Sequence, residues 1–110
     1  GKPIREFIHV NDVAESIIVT LKASQTSLKK IMHNKLPIFN IGSGESLSIK
    51  KLAYLIKGLV GFNGKIFFDK NYPDGTLNKN LDSKKIKLLK WKPQIKLVDG
   101  LMNIINKRNK

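Results

Sequence analysis

With 110 residues, 41% of them hydrophobic and gathered in periodic runs, the chain has room for one small domain with one modest core. It has no cysteine, which excludes disulfides, thiolate catalysis and cysteine metal sites, and no apolar stretch near the roughly 20 residues that a membrane span needs. The formal net charge of +13 comes almost wholly from lysine, 19 Lys against 2 Arg, beside abundant Ile and Asn; it reads first as solvated background from an AT-rich coding bias and second as an anion-facing surface, for which a diphosphate serves as well as a nucleic acid.

The first residues, Gly1-Lys2-Pro3-Ile4-Arg5-Glu6, carry neither an initiator Met nor the apolar run of a signal peptide, and they enter a strand-like stretch at once, so the chain is expected to be a fragment. Ile4 to Val10 reads as a strand rich in β-formers between Pro3 and Asn11-Asp12. Asp12 is the expected cap of a first helix, with Glu15 three residues on as a capping box asks, and Val13, Ala14, Ile17, Ile18 and Leu21 at helical spacing. That helix is expected to fade between Ala23 and Ser27. The polar stretch from Gln25 to Lys35 reads as a connection in which Leu28, Ile31 and Met32 either extend the helix or form another turn.

After Pro37, Ile38 to Ile41 reads as a short buried strand, followed by the loop Gly42-Ser43-Gly44-Glu45-Ser46. The strongest helical pattern comes next, with Ser48 as cap, Ile49, Leu52, Ala53, Ile56, Leu59 and Val60 on one face, and Gly61 as terminator. Lys65 to Phe68 reads as a third strand and Asn71 to Thr76 as a turn or loop. Asp82 or Ser83 is placed to cap a short helix from Lys84 to Leu89, closed by Trp91-Lys92-Pro93, and a last helix runs from about Leu97 through Ile105. Strand, helix, strand, helix, strand, helix, helix is an α/β arrangement with short sheet segments.

The residues themselves announce little chemistry. His9 and His33 stand far apart with no carboxylate or serine pattern beside them, so neither is assigned a catalytic role and no transition-metal site is expected. Gly42-Ser43-Gly44 between a strand and a helix invites a phosphate-loop reading, yet it lacks a third glycine at dinucleotide spacing and a Gly-Lys-Ser/Thr ending. No Rossmann fingerprint occurs, so the chain is not expected to hold a dinucleotide by itself. Taken alone, Pro73-Asp74-Gly75 is a turn and Arg5 an exposed charge.

Three segments together resemble one family. Arg5-Glu6-Phe7-Ile8-His9-Val10-Asn11-Asp12-Val13-Ala14 is similar to the R-E-F-x-x-V-x-D-x-A signature of extended short-chain dehydrogenases acting on nucleotide sugars, and Asn40-Ile41-Gly42-Ser43-Gly44 with Ser48-Ile49 is similar to a second element of that superfamily. Gly61 to Asp69, then Pro73-Asp74-Gly75-Thr76, Lys79, Leu81-Asp82 and Trp91, resemble the GDP-L-fucose synthase pattern. The resemblance runs from Arg5 to about Leu101 and implies the C-terminal, sugar-nucleotide-binding domain of such an enzyme, over residues 1–110, with the N-terminal NADP-binding Rossmann half missing.

That family converts GDP-4-keto-6-deoxy-D-mannose to GDP-L-fucose by epimerisation at two sugar carbons and reduction with NADPH. Its catalytic Ser, Tyr, Lys, Cys and His lie upstream of the matching segment, so the resemblance implies no catalytic residue here. It implies substrate binding by Arg5, which would contact the GDP portion, and by Asp74, with Lys79 a further cation for the same anion. It also implies a cytoplasmic enzyme, often homodimeric, with a GDP-sugar as partner and no membrane or nucleic acid. Three departures stand out: Leu77-Asn78 where the family has Pro-Arg, Lys90 where it has Gly before Trp91, and Asn11 where Asp is common. The alternatives are another nucleotide-sugar epimerase or dehydratase, a basic polyanion-binding module, and a piece not stable alone, whose strand at Ile4 to Val10 would be a bare edge.

Overall fold

The computed structural model describes residues 1–32, 36 and 38–108. In chain order the elements are β1 (Ile4–Glu6), α1 (Val10–Lys22), α2 (Gln25–Ile31), β2 (Ser46–Ser48), α3 (Ile49–Leu59), β3 (Asn78–Lys79), α4 (Lys84–Lys87) and α5 (Leu97–Arg108). The α/β class expected from the sequence holds, with a three-stranded sheet in the order β2-β1-β3. β1 pairs antiparallel with β2 (Ile4 with Ser48, Arg5 with Leu47, Glu6 with Ser46) and parallel with β3 (Ile4 with Asn78, Arg5 with Lys79).

Two of the expected strands do not form, and the reason is shared. Residues 38–41 and 65–68 have strand-like composition but no regular ladder, because a strand is stabilised by a neighbour's backbone groups and none is aligned with them among the described residues. β1 also stops at Glu6 instead of Val10, since its partners are only three and two residues long.

The helices follow their sequence signals more closely, with one reassignment. The cap of α1 is His9, whose Nδ1 accepts the N–H of Asn11 at 3.2 Å. Asp12, expected as the cap, is instead 2% exposed and reaches across the molecule: its carboxylate accepts the N–H groups of Gln94 at 3.0 Å and Ile95 at 3.1 Å. It thereby ties α1 to the segment that leads into α5. Behind it, Ser16 is fully buried and donates to the carbonyl of Val13 at 2.6 Å.

α2 resolves the ambiguity after Ala23: it is a separate helix, capped by Ser24, whose Oγ accepts the N–H of Ser27 at 3.1 Å. Ser48 caps α3 as expected, accepting the N–H of Lys51 at 3.2 Å, and Gly61 follows in the left-handed region at φ +66°. Two further amides of the α3 first turn are satisfied by the opening residues, Ile49 donating to the carbonyl of Pro3 and Lys50 to that of Gly1, both at 2.9 Å. Of the two possible caps of α4, Asp82 serves: its Oδ1 accepts the N–H of Lys84 at 2.9 Å, while Ser83 makes no such bond.

The hydrophobic interior is small, with Ile31, Ile86 and Trp91 as its buried apolar side chains among the described residues. Much of the apolar face of α1 stays in solvent, Ile17 and Ile18 half exposed and Leu21 80% exposed. The molecule is a slab of 54 × 37 × 15 Å with a radius of gyration of 17.4 Å, where a compact chain of this length has about 13 Å. Its accessible surface of 8780 Å² likewise exceeds the roughly 6,100 Å² usual for this mass.

Candidate functional site

The site begins with the sheet. Arg5 on β1 and Lys79 on β3 are directly paired in a parallel ladder, so their side chains leave the same face of neighbouring strands about 4.8 Å apart. Leu47 flanks Arg5 on the other side. Two cations on one face repel each other, and an anion placed between them turns that repulsion into attraction. The guanidinium of Arg5 donates from Nη1 to the carbonyl of its neighbour Ile4 at 2.8 Å, which leaves its other donors free to bind a ligand.

Asp74 lies in the loop before β3, near the beginning of β1. Its Oδ1 is 3.6 Å from the amino nitrogen of Gly1, and its side chain is 41% exposed. It opens onto a cleft of about 670 Å³ whose wall includes Lys2, Lys50, Asp69, Lys70 and Tyr72. The structure therefore brings together Arg5 and Lys79, 74 residues apart in sequence, and sets Asp74 at the end of the same strand pair. Neither Arg5 nor Lys79 is among the described residues that line Asp74's cleft. Asp74 precedes Gly75, whose φ of +66° is one that glycine adopts without strain.

The residue that sequence reasoning left without a role is Glu6. Its carboxylate accepts the N–H of Gly44 through Oε1 and the N–H of Leu81 through Oε2, the latter at 2.9 Å. A Cβ on Gly42 would come 2.5 Å from Oε1, so a larger residue there would push the carboxylate aside. The amide that a phosphate would need is thus occupied by a carboxylate, and Gly42-Ser43-Gly44 leads into β2 rather than opening a helix. The loop does not make a dinucleotide cradle, and the described residues do not fit NADP through it.

His9 acts as a helix cap, and its ring packs 3.0 Å from where a Cβ on Gly100 would stand. His33 lies outside the described residues. No cluster of three or more His, Cys, Asp or Glu side chains positioned for a metal occurs among the described residues, and no helix among them is long and apolar enough to cross a membrane. At the departure before Trp91, Lys90 adopts a left-handed conformation, φ 62°, that glycine would take at no cost.

No family model matches the chain. Among curated proteins it is 41% identical over 102 residues to a probable GDP-L-fucose synthase 1 of Oryza sativa subsp. japonica, covering 93% of this chain, and 42% identical over 101 residues to GDP-L-fucose synthase 1 of Arabidopsis thaliana, covering 92%. The chain spans 28% of the length of each of these relatives. Among solved structures, a GDP-D-glycero-L-gluco-heptose synthase from Campylobacter jejuni, determined in the presence of NADPH, superposes with a TM-score of 0.85 at 35% identity, covering 100% of this chain and 31% of that one. A GDP-mannoheptose C4 reductase from the same organism, with NADP bound, gives a TM-score of 0.83 at 34% identity over 100% of this chain and 33% of its own. In sequence and in fold, this chain corresponds to the C-terminal region of GDP-L-fucose synthases and their GDP-sugar reductase neighbours, within the extended short-chain dehydrogenases.

Proposed function

We propose that the chain is the substrate-holding part of a GDP-sugar epimerase/reductase, and that the anion it holds is the diphosphate of the nucleotide sugar. The observation that carries this reading is the pairing of Arg5 with Lys79 on one face of the sheet, with Asp74 at the end of the same strands. Arg5 supplies a planar fork of donors to phosphate oxygens, Lys79 a compact second charge, and Asp74 an acceptor for hydroxyl or amide donors elsewhere on the ligand. Supporting it are the names of the two relatives described above, both GDP-L-fucose synthases, and of the two solved neighbours, a GDP-heptose synthase and a GDP-mannoheptose reductase.

On this reading the reaction is that of the family, GDP-4-keto-6-deoxy-D-mannose to GDP-L-fucose. The reacting groups and the NADP site belong to a separate dinucleotide-binding half, and the 110 residues alone are inactive. The sugar ketone would be presented by this part and reduced in the other. The complete enzyme would be a cytoplasmic homodimer, as the family resemblance implies.

The test is calorimetric titration of the 110-residue chain with GDP and, separately, with UDP at one ionic strength. GDP is expected to saturate, and Arg5→Ala or Lys79→Ala to weaken it by about 1–3 kcal/mol, the worth of a charge-assisted hydrogen bond. Saturation by GDP that neither substitution alters would refute the assignment of the site. Preference for UDP would move the reading to a UDP-sugar enzyme.

A further inference from the structure

We infer that Glu6 is a positioning residue for the Arg5–Lys79 pair, fixing the register of β3 so that Lys79 faces the ligand; this rests on the reading of that pair as the diphosphate site. β3 is two residues long and offers β1 little intrinsic pairing. What holds it in place lies at its two ends. At one, Ile4 donates its N–H to the carbonyl of Leu77 at 2.7 Å; at the other, Leu81 donates its N–H to Glu6 Oε2 at 2.9 Å. Lys79 sits midway between these two bonds.

The second oxygen of Glu6 takes the amide of Gly44, just ahead of β2, and Ser46, its ladder partner on β2, donates from Oγ to Asn80 Oδ1 at 2.9 Å. One carboxylate thus joins both edge strands around the downstream end of β1. Successive side chains of a strand point to opposite faces, so Glu6 lies on the face away from Arg5 and Lys79 and does not itself touch a ligand bound there. Its effect passes through register. A slip of β3 by one residue would send Lys79 to the wrong face and bring Asn78 or Asn80 to the right one. A neutral side chain in place of Lys79 removes one of the two cations from the site.

The experiment is GDP titration of the 110-residue chain carrying Glu6→Ala, Glu6→Gln and Gly42→Ala, alone and combined with Lys79→Ala. Glu6→Ala is expected to weaken GDP binding by about tenfold, the equivalent of one lost hydrogen bond to a charged group. Glu6→Gln, which keeps one acceptor oxygen, should fall between it and the unmutated chain, and Gly42→Ala should act in the same direction by crowding the carboxylate. In the Lys79→Ala background Glu6→Ala should cost nothing further, because its route to the ligand is gone. A role in general stability would instead give the same loss in both backgrounds, and that result overturns the inference. So does a Glu6→Ala or Glu6→Gln chain that binds GDP as the unmutated one does. Should Glu6→Ala fail to fold, Glu6→Gln carries the same comparison. Absence of saturable GDP binding by the unmutated chain overturns the underlying site reading, a failure distinct from the other two.

Discussion

Replacing Asp12 by Ala should be among the most damaging single changes in this chain, although the residue lies outside the proposed ligand site. Its carboxylate is 2% exposed and accepts two backbone amides, Gln94 at 3.0 Å and Ile95 at 3.1 Å. Hydrogen bonds to a charged acceptor are worth about 1.5–3 kcal/mol each, and an amide left buried without a partner costs a similar amount. Gln94 is itself at the surface, so its amide regains water on loss of the partner. The lower figure for both bonds gives about 3 kcal/mol. For a domain of this length, 1 kcal/mol moves the melting temperature by roughly 4–8 °C, so a fall of about 12 °C or more is expected. Circular dichroism melts provide the first readout, and hydrogen exchange at the amides of Gln94 and Ile95 the second, since both should lose protection. Asp12→Asn retains one acceptor but points an N–H₂ group at the other amide, and it should sit between wild type and Asp12→Ala. An Asp12→Ala chain melting within about 2 °C of wild type, with both amides still protected, would refute the view that this bridge holds α5 to α1.

Two smaller effects follow from local geometry. Lys90→Gly should raise stability by about 0.5–1 kcal/mol, the left-handed strain relieved less the entropy that glycine restores to the unfolded chain, as read in urea denaturation. The carboxyl of Asp82 is held below its ordinary value of 3.8 by the amide N–H of Lys84 first and then by that residue's ammonium group. Its folded-state value is the lower one, so its contribution is complete above the ordinary value and disappears as the pH falls through the depressed one. Asp82→Asn should therefore flatten the acid limb of a pH–stability profile, measured by melts from pH 6 to about 2, lying slightly below wild type on the neutral plateau and converging with it in acid.

Local signals were legible in the sequence wherever the determinant was itself local. Ser48 as a cap, Gly61 as a terminator and the apolar spacing of α1 and α3 all fix structure within a turn or two, and those helices stand where the pattern put them. β3 was invisible because Asn78-Lys79 has no β-forming character; it is a strand only because β1, 74 residues earlier, offers it a ladder. Asp12 was misread for the same reason: its partners lie 82 and 83 residues away, and a local capping signal was the best that nearby residues could supply. Conversely, residues 38–41 and 65–68 carry strong β-formers and no described neighbour to pair with. Of the site, Arg5, Asp74 and Lys79 came from a motif. Their arrangement could not be read in advance, because which face Lys79 presents depends on its register against β1, a partner 74 residues away.

The thinness of the slab has a consequence for how it comes apart. An unfolded chain of this mass exposes about 18,000 Å², so folding to 8780 Å² hides roughly three quarters of the area that a compact domain of equal length would hide. The denaturant m-value and the heat-capacity increment both scale with that area. Unfolding of this chain should therefore be spread over a wide range of urea, with a shallow stability curve, and a polypeptide or ligand that covered the open faces would steepen both.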